Sequence, residues 1–181
     1  MRPLASHRTV LGVLPVLAVA VLGTASHAGA TEQSAVGVVC AAGSHTGAYN
    51  PPVINTPRTT TVTSTENFSC TSVLTGVSSG SGTSASTLSL NCLLTVSSPF
   101  SATWTYEWNT GETSTITFGL SEAVKAADGT TVVTSTGSVT AGLGQGSLAV
   151  KVTVMPQLSL TACATTGVSA VTGPATLTIL P

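Results

Sequence analysis

The chain has 181 residues, 42% hydrophobic, 4% aromatic and only 6% charged, with a formal net charge of −1. So few cations leave no basic patch to neutralise the phosphates of DNA or RNA. An apolar, nearly neutral chain is also unlike a disordered one, which combines low hydrophobicity with high net charge.

Arg2 and Arg8, the apolar residues 10–22 and the small-residue site Ala28-Gly29-Ala30 read together as an export signal cleaved after Ala30. The apolar stretch is short for the roughly 20 residues of a spanning helix and contains Pro15. The expected organisation is therefore a signal peptide, residues 1–30, and one folded domain, residues 31–181. The mature protein is expected to be secreted, extracellular and not membrane-spanning. It keeps only Arg58, Lys125 and Lys151 as cations, so no nucleic-acid partner is expected.

The mature chain reads as strands. It is part of a sequence with 33 threonines and 23 serines, and branching at Cβ favours extended structure. Strands are predicted near 34–41, 58–68, 85–96, 102–108, 112–120, 130–140, 147–155, 158–163 and 174–180. In one of them Leu148, Val150, Val152 and Val154 alternate with Ala149, Lys151 and Thr153, which predicts that the aliphatic face is the buried one. Turns are predicted at Gly80-Ser-Gly82, Asn109-Thr-Gly111, Asp128-Gly129 and Gly142-Leu-Gly144-Gln-Gly146. Tyr49-Asn-Pro-Pro52 reads as a loop, and residues 121–127 could hold a helical turn. Nine short strands without a useful helix predict an all-β fold, a single antiparallel immunoglobulin-like β-sandwich.

An exported chain with Cys40, Cys70, Cys92 and Cys163 is expected to form two disulfides. Three pairings exist. Cys40 and Cys92 share parity with apolar strand positions, whereas Cys70 and Cys163 open similar polar segments, and joining one strand to one loop favours Cys40 with Cys70 and Cys92 with Cys163. Zinc is not expected, because the cysteines are widely spaced and His45 is the single histidine of the mature chain. No cofactor is implied.

Catalytic chemistry finds little support. A nucleophilic triad would need His45, which lies in the loop-like Gly43-Ser-His-Thr-Gly47, and no G-x-S-x-G or S-x-x-K motif occurs. Glu107 and Glu112 flank a hairpin turn and could pair as glycosidase carboxylates, but read more simply as exposed charges that keep a strand edge soluble. Glu32, Glu66, Glu122 and Asp128 are scattered along the chain.

The most specific local feature is Thr103-Trp104-Thr-Tyr106-Glu-Trp108, three aromatic residues on one strand face. A three-residue loop, Asn109-Thr110-Gly111, would set Trp104 opposite Ile116 and Trp108 opposite Glu112, turning the stripe into the core. A two-residue loop would set Trp108 opposite Thr113 and expose the rings as a platform for sugar faces. Burial is the favoured register, because a chain this poor in aromatic residues needs its tryptophans inside.

The chain resembles small secreted immunoglobulin-like β proteins of actinobacteria, which have no assigned activity. The resemblance covers most of the mature chain and rests on Asn55-Thr-Pro-Arg-Thr-Thr-Thr-Val62, Trp108-Asn-Thr-Gly-Glu-Thr-Ser-Thr115, Val132-Val-Thr-Ser-Thr-Gly-Ser-Val-Thr-Ala-Gly142, Leu160-Thr-Ala-Cys163 and Gly173-Pro-Ala-Thr-Leu-Thr-Ile179. It implies compartment, disulfides and fold, and no reaction. In class alone the chain is also similar to the neocarzinostatin-type apoproteins, which keeps open a carrier of a small apolar ligand. The expectation is a secreted, non-enzymatic binding or structural protein at the cell surface or in the medium, with cell-wall polysaccharide or another surface protein as partner. The alternative is a carbohydrate-binding module using Trp104, Tyr106 and Trp108.

Overall fold

Hydroxyl-rich alternation produces long strands. The computed structural model describes residues 37–73, 75–92 and 101–181, and the signal-peptide reading of residues 1–30 lies outside them. The strands are β1 (Val38–Val53), β2 (Arg58–Ser72), β3 (Ser79–Leu90), β4 (Ala102–Trp108), β5 (Thr113–Lys125), β6 (Thr131–Gly142), β7 (Leu148–Met155) and β8 (Val168–Leu180). Each is antiparallel to the next, and β1 pairs with β8 as well as with β2, so the sheet closes on itself as an eight-stranded barrel.

This overturns the immunoglobulin-like sandwich. A sandwich splits its strands between two open sheets joined by crossovers, whereas here every consecutive pair is a hairpin neighbour. The ladder from Val38↔Ile179 to Val53↔Val168 then joins the first strand to the last. Closure removes the free edges that an open sheet must protect. That closing ladder joins the two ends of the domain and has no local sequence signal.

Several predicted elements change accordingly. Residues 158–163 were expected as a strand, but the segment carries a short helix, α1 (Leu160–Ala164), capped by the Ser159 side chain, which accepts from the Ala162 N–H. Residues 121–125 continue β5 instead of forming a helical turn. Tyr49-Asn-Pro-Pro52 is the end of β1, with a cis Asn50–Pro51 bond, rather than a loop. The predicted strand 85–96 begins earlier, at Ser79, and its residues 93–96 lie outside the described residues.

Gly80 and Gly82 are strand residues of β3, not a turn. They face Trp108 and Tyr106 across the β3–β4 ladder. A Cβ at either would overlap the facing ring, so glycine here lets large aromatic side chains lie flat on the neighbouring backbone.

The disulfides are Cys40–Cys70 and Cys92–Cys163, the favoured pairing, although Cys70 is a β2 residue and Cys163 belongs to α1 rather than to a loop or strand. Cys40–Cys70 sits in the closed end of the barrel. There Val38, Phe68, Val77, Trp108, Ile116, Leu177 and Ile179 form the main core. Cys92–Cys163 ties the connection after β3 to α1 at the opposite end, beside a smaller cluster of Tyr49, Val53, Leu90 and Val171.

Candidate functional site

The hairpin between β4 and β5 decides where the aromatic stripe points. Trp104 pairs with Ile116 and Tyr106 with Ser114, while the Trp108 N–H donates to the Glu112 carbonyl and Gly111 takes a φ of 82°. This is the three-residue register, with glycine in the left-handed position. Trp104, Tyr106 and Trp108 are 5%, 0% and 4% exposed, so they present no external platform. Their rings stack inside the barrel, with neighbouring centroids 5.9 Å apart. Trp108 is fixed by its indole N–H, which donates to Ser114 Oγ at 2.8 Å, and that hydroxyl donates to the Leu143 carbonyl at 2.7 Å.

Above this stack lies a buried polar cluster that the sequence did not announce. His45, expected in a loop, is an inward residue of β1, paired across the ladder with Glu66 of β2. Its Nδ1 donates to Glu66 Oε1 at 3.0 Å, Lys151 Nζ stands 3.1 Å from the same oxygen, and the Tyr106 hydroxyl donates to Oε2 at 2.8 Å. Both carboxylate oxygens are thus occupied by donors, which is what allows an acidic side chain to sit in a barrel interior with 1% exposure. Burial alone would push the Glu66 carboxyl up. The His45 hydrogen bond, the Lys151 charge and the Tyr106 hydroxyl outweigh it and hold Glu66 below its ordinary value.

Lys151 arrives from β7 by an inversion of the predicted faces. Leu148 is 52% exposed, while Ala149, Lys151 and Thr153 are buried. The aliphatic face of β7 points outward and its mixed face points in. The Lys151 ammonium lies 3.5 Å from the centroid of the Trp104 ring and 4.8 Å from that of Phe118, within cation–π range of both. Burial lowers its pKa, and the Glu66 carboxylate offsets part of that. Tyr106 is raised well above its ordinary value by burial and then by the adjacent carboxylate.

Between this cluster and the end carrying α1, the inward residues become small. Gly47, Ser64, Ala102, Ser121, Ala123 and Ser135 leave a cavity of about 170 Å³ whose inner end is formed by His45, Trp104, Phe118 and Lys151. Leu88, Val133 and Met155 contribute aliphatic walls. Tyr49 also lines it, its phenol pushed up to about 12 by burial. Small inward residues beside large ones set where an eight-stranded barrel is filled and where it is hollow.

The other candidate residues are not gathered here. Glu107 lies on the outward face of β4, and Glu112 is in the exposed hairpin, where its Oε2 accepts from the Thr110 hydroxyl at 3.2 Å. Among the described residues no group of three His, Cys, Asp or Glu side chains could hold a metal ion, and no helix is long and apolar enough to cross a membrane.

Glu66 was missed because it stands alone among threonines and serines, and its inward parity with Ser64 and Phe68 was the available signal. Lys151 was missed because its own strand displays a better hydrophobic face on the other side. Compared with protein-family models, curated proteins and solved structures, the chain matches none of them.

Proposed function

We propose that this is an exported, non-enzymatic barrel that carries or captures a small, largely apolar ligand inside its interior. The observation that carries this reading is the cavity lined by Trp104, Phe118, Leu88, Val133 and Met155 toward the α1 end of the barrel. Closed antiparallel barrels of eight strands are just wide enough to be packed solid or to hold one small ligand. A dry cavity of about 150 Å³ holds a benzene molecule, and the 170 Å³ here is of the same order. The ligand class is therefore a single ring or a short branched chain. Two disulfides fit an extracellular setting, because such bonds persist where the surroundings are oxidising.

The test is titration of the purified domain with toluene, followed by tryptophan fluorescence, since Trp104 lines the cavity. A saturable change is expected in the wild type, and its loss in Gly47→Leu. A Cβ at Gly47 meets His45, Val171 and Tyr49 at ordinary contact distances of 3.5–3.6 Å, so a larger side chain would occupy the space a ligand needs. Absence of any saturable change in the wild type would remove the reading.

A further inference from the structure

We infer that the ligand presents an uncharged hydrogen-bond acceptor, such as the oxygen of a ketone, aldehyde, ester or amide, to Lys151 at the inner end of the cavity. This deepens the carrier reading and rests on it.

An ammonium has three N–H donors. For Lys151 the one oxygen in reach among the described residues is Glu66 Oε1, and the other neighbours of Nζ are the faces of Trp104 and Phe118. Ring faces satisfy a cation only in part, so donor capacity remains at a group that itself lines the cavity. An acceptor oxygen placed there would gain a charge-assisted hydrogen bond in an apolar surrounding, the kind of polar contact that fixes orientation in a mostly hydrophobic site.

Charge decides which acceptor. Glu66 already neutralises Lys151, and both of its oxygens are occupied by His45, Lys151 and Tyr106. A carboxylate ligand would place a second anion against the same ammonium, close to Glu66 and away from water, and like charges sharing a buried site repel. An amine or amidine would find no free carboxylate oxygen and would face the Lys151 charge. A neutral carbonyl meets neither obstacle. A hydrocarbon would fit the walls but leave the Lys151 donor unused.

Four aromatic probes of matched size separate these cases: cumene, acetophenone, benzoate and benzamidinium, each titrated into the wild-type domain. Acetophenone is expected to bind about tenfold or more tightly than cumene, the effect of one hydrogen bond from a charged donor, with both ionic probes weaker than acetophenone. In Lys151→Met the preference for acetophenone over cumene should vanish. Should that variant not fold, the double variant Glu66→Gln/Lys151→Met, which removes both charges together, should lose the preference while still binding cumene.

Equal binding of cumene and acetophenone would overturn the inference and leave the carrier reading standing. Tightest binding of benzoate or benzamidinium would overturn it in favour of a charged ligand. Failure of all four probes would remove the carrier reading and the inference with it.

Discussion

Lys151 and Glu66 form an ion pair of 3.1 Å across the barrel interior, from β7 to β2, with side-chain exposures of 7% and 0%. Such a pair gives up the hydration of two charges, and its partners keep it viable: His45 and Tyr106 on the carboxylate, Trp104 and Phe118 around the ammonium. Removing one member leaves the other buried without its counter-ion, which typically costs about 3–5 kcal/mol. Lys151→Met should therefore destabilise by that order in urea unfolding. The double variant Glu66→Gln/Lys151→Met should lose clearly less than the sum of the two single losses; strict additivity would show that the pair is not coupled.

The same pair predicts an acid limb in stability. Glu66 titrates below its unfolded value, so the unfolded chain takes up this proton at a higher pH than the folded one. Its contribution is complete above the ordinary Glu range near about 4.3 and is lost as pH falls through the lowered folded value. Urea midpoints measured from neutral pH to pH 2 should fall more steeply in the wild type than in Glu66→Gln. Parallel curves would contradict the buried carboxylate.

The disulfides should differ in their contribution. They join residues separated by 30 and 71 positions, for which loop-closure entropy gives roughly 3.5 and 4.5 kcal/mol respectively. Replacing Cys92 and Cys163 by serine should thus lower the thermal midpoint at least as far as replacing Cys40 and Cys70. Because Cys92–Cys163 ties down the α1 end, its removal should also weaken toluene binding, while loss of Cys40–Cys70 at the closed end should affect stability more than affinity.

Glycine at position 82 lies under the Tyr106 ring. Gly82→Ala is expected to cost about 1–3 kcal/mol by overpacking, against the gain that alanine usually gives over glycine in a strand. A neutral or stabilising Gly82→Ala would show that the ring does not rest on this backbone.

Trp104 and Trp108 have 5% and 4% exposure. Blue-shifted emission that iodide does not quench is the expected result for the native domain. Red-shifted, quenchable emission would return the stripe to the surface and with it the sugar-binding platform.

What could be read from the sequence was local. Alternation marked most of the strands, Asn109-Thr-Gly111 carried the three-residue loop that turns Trp104 inward, and the parity of Cys40 led to its pairing with Cys70. What could not be read depended on distant partners. Closure needs β1 against β8, and no turn residue encodes that ladder.

The direction of β7 illustrates the second limit. On an almost uncharged chain, a face of Leu148, Val150, Val152 and Val154 looks like core, yet the barrel turns Lys151 inward because Glu66, from β2, supplies the counter-charge there. The helix at α1 was legible in principle, since Ser159 precedes Leu-Thr-Ala-Cys-Ala, a capping residue before several helix-compatible residues. Its short length and neighbouring strands masked it.

If the barrel carries a ligand, a small molecule enters its interior beside Lys151. The most direct test is assigned NMR of the domain with toluene, reading intermolecular NOEs. Contacts are expected from the ligand to Trp104, Phe118, Val133 and Met155, all lining residues of the interior cavity. Contacts confined to the outward residues of β7, such as Leu148 and Val150, with none to Trp104, would contradict that expectation.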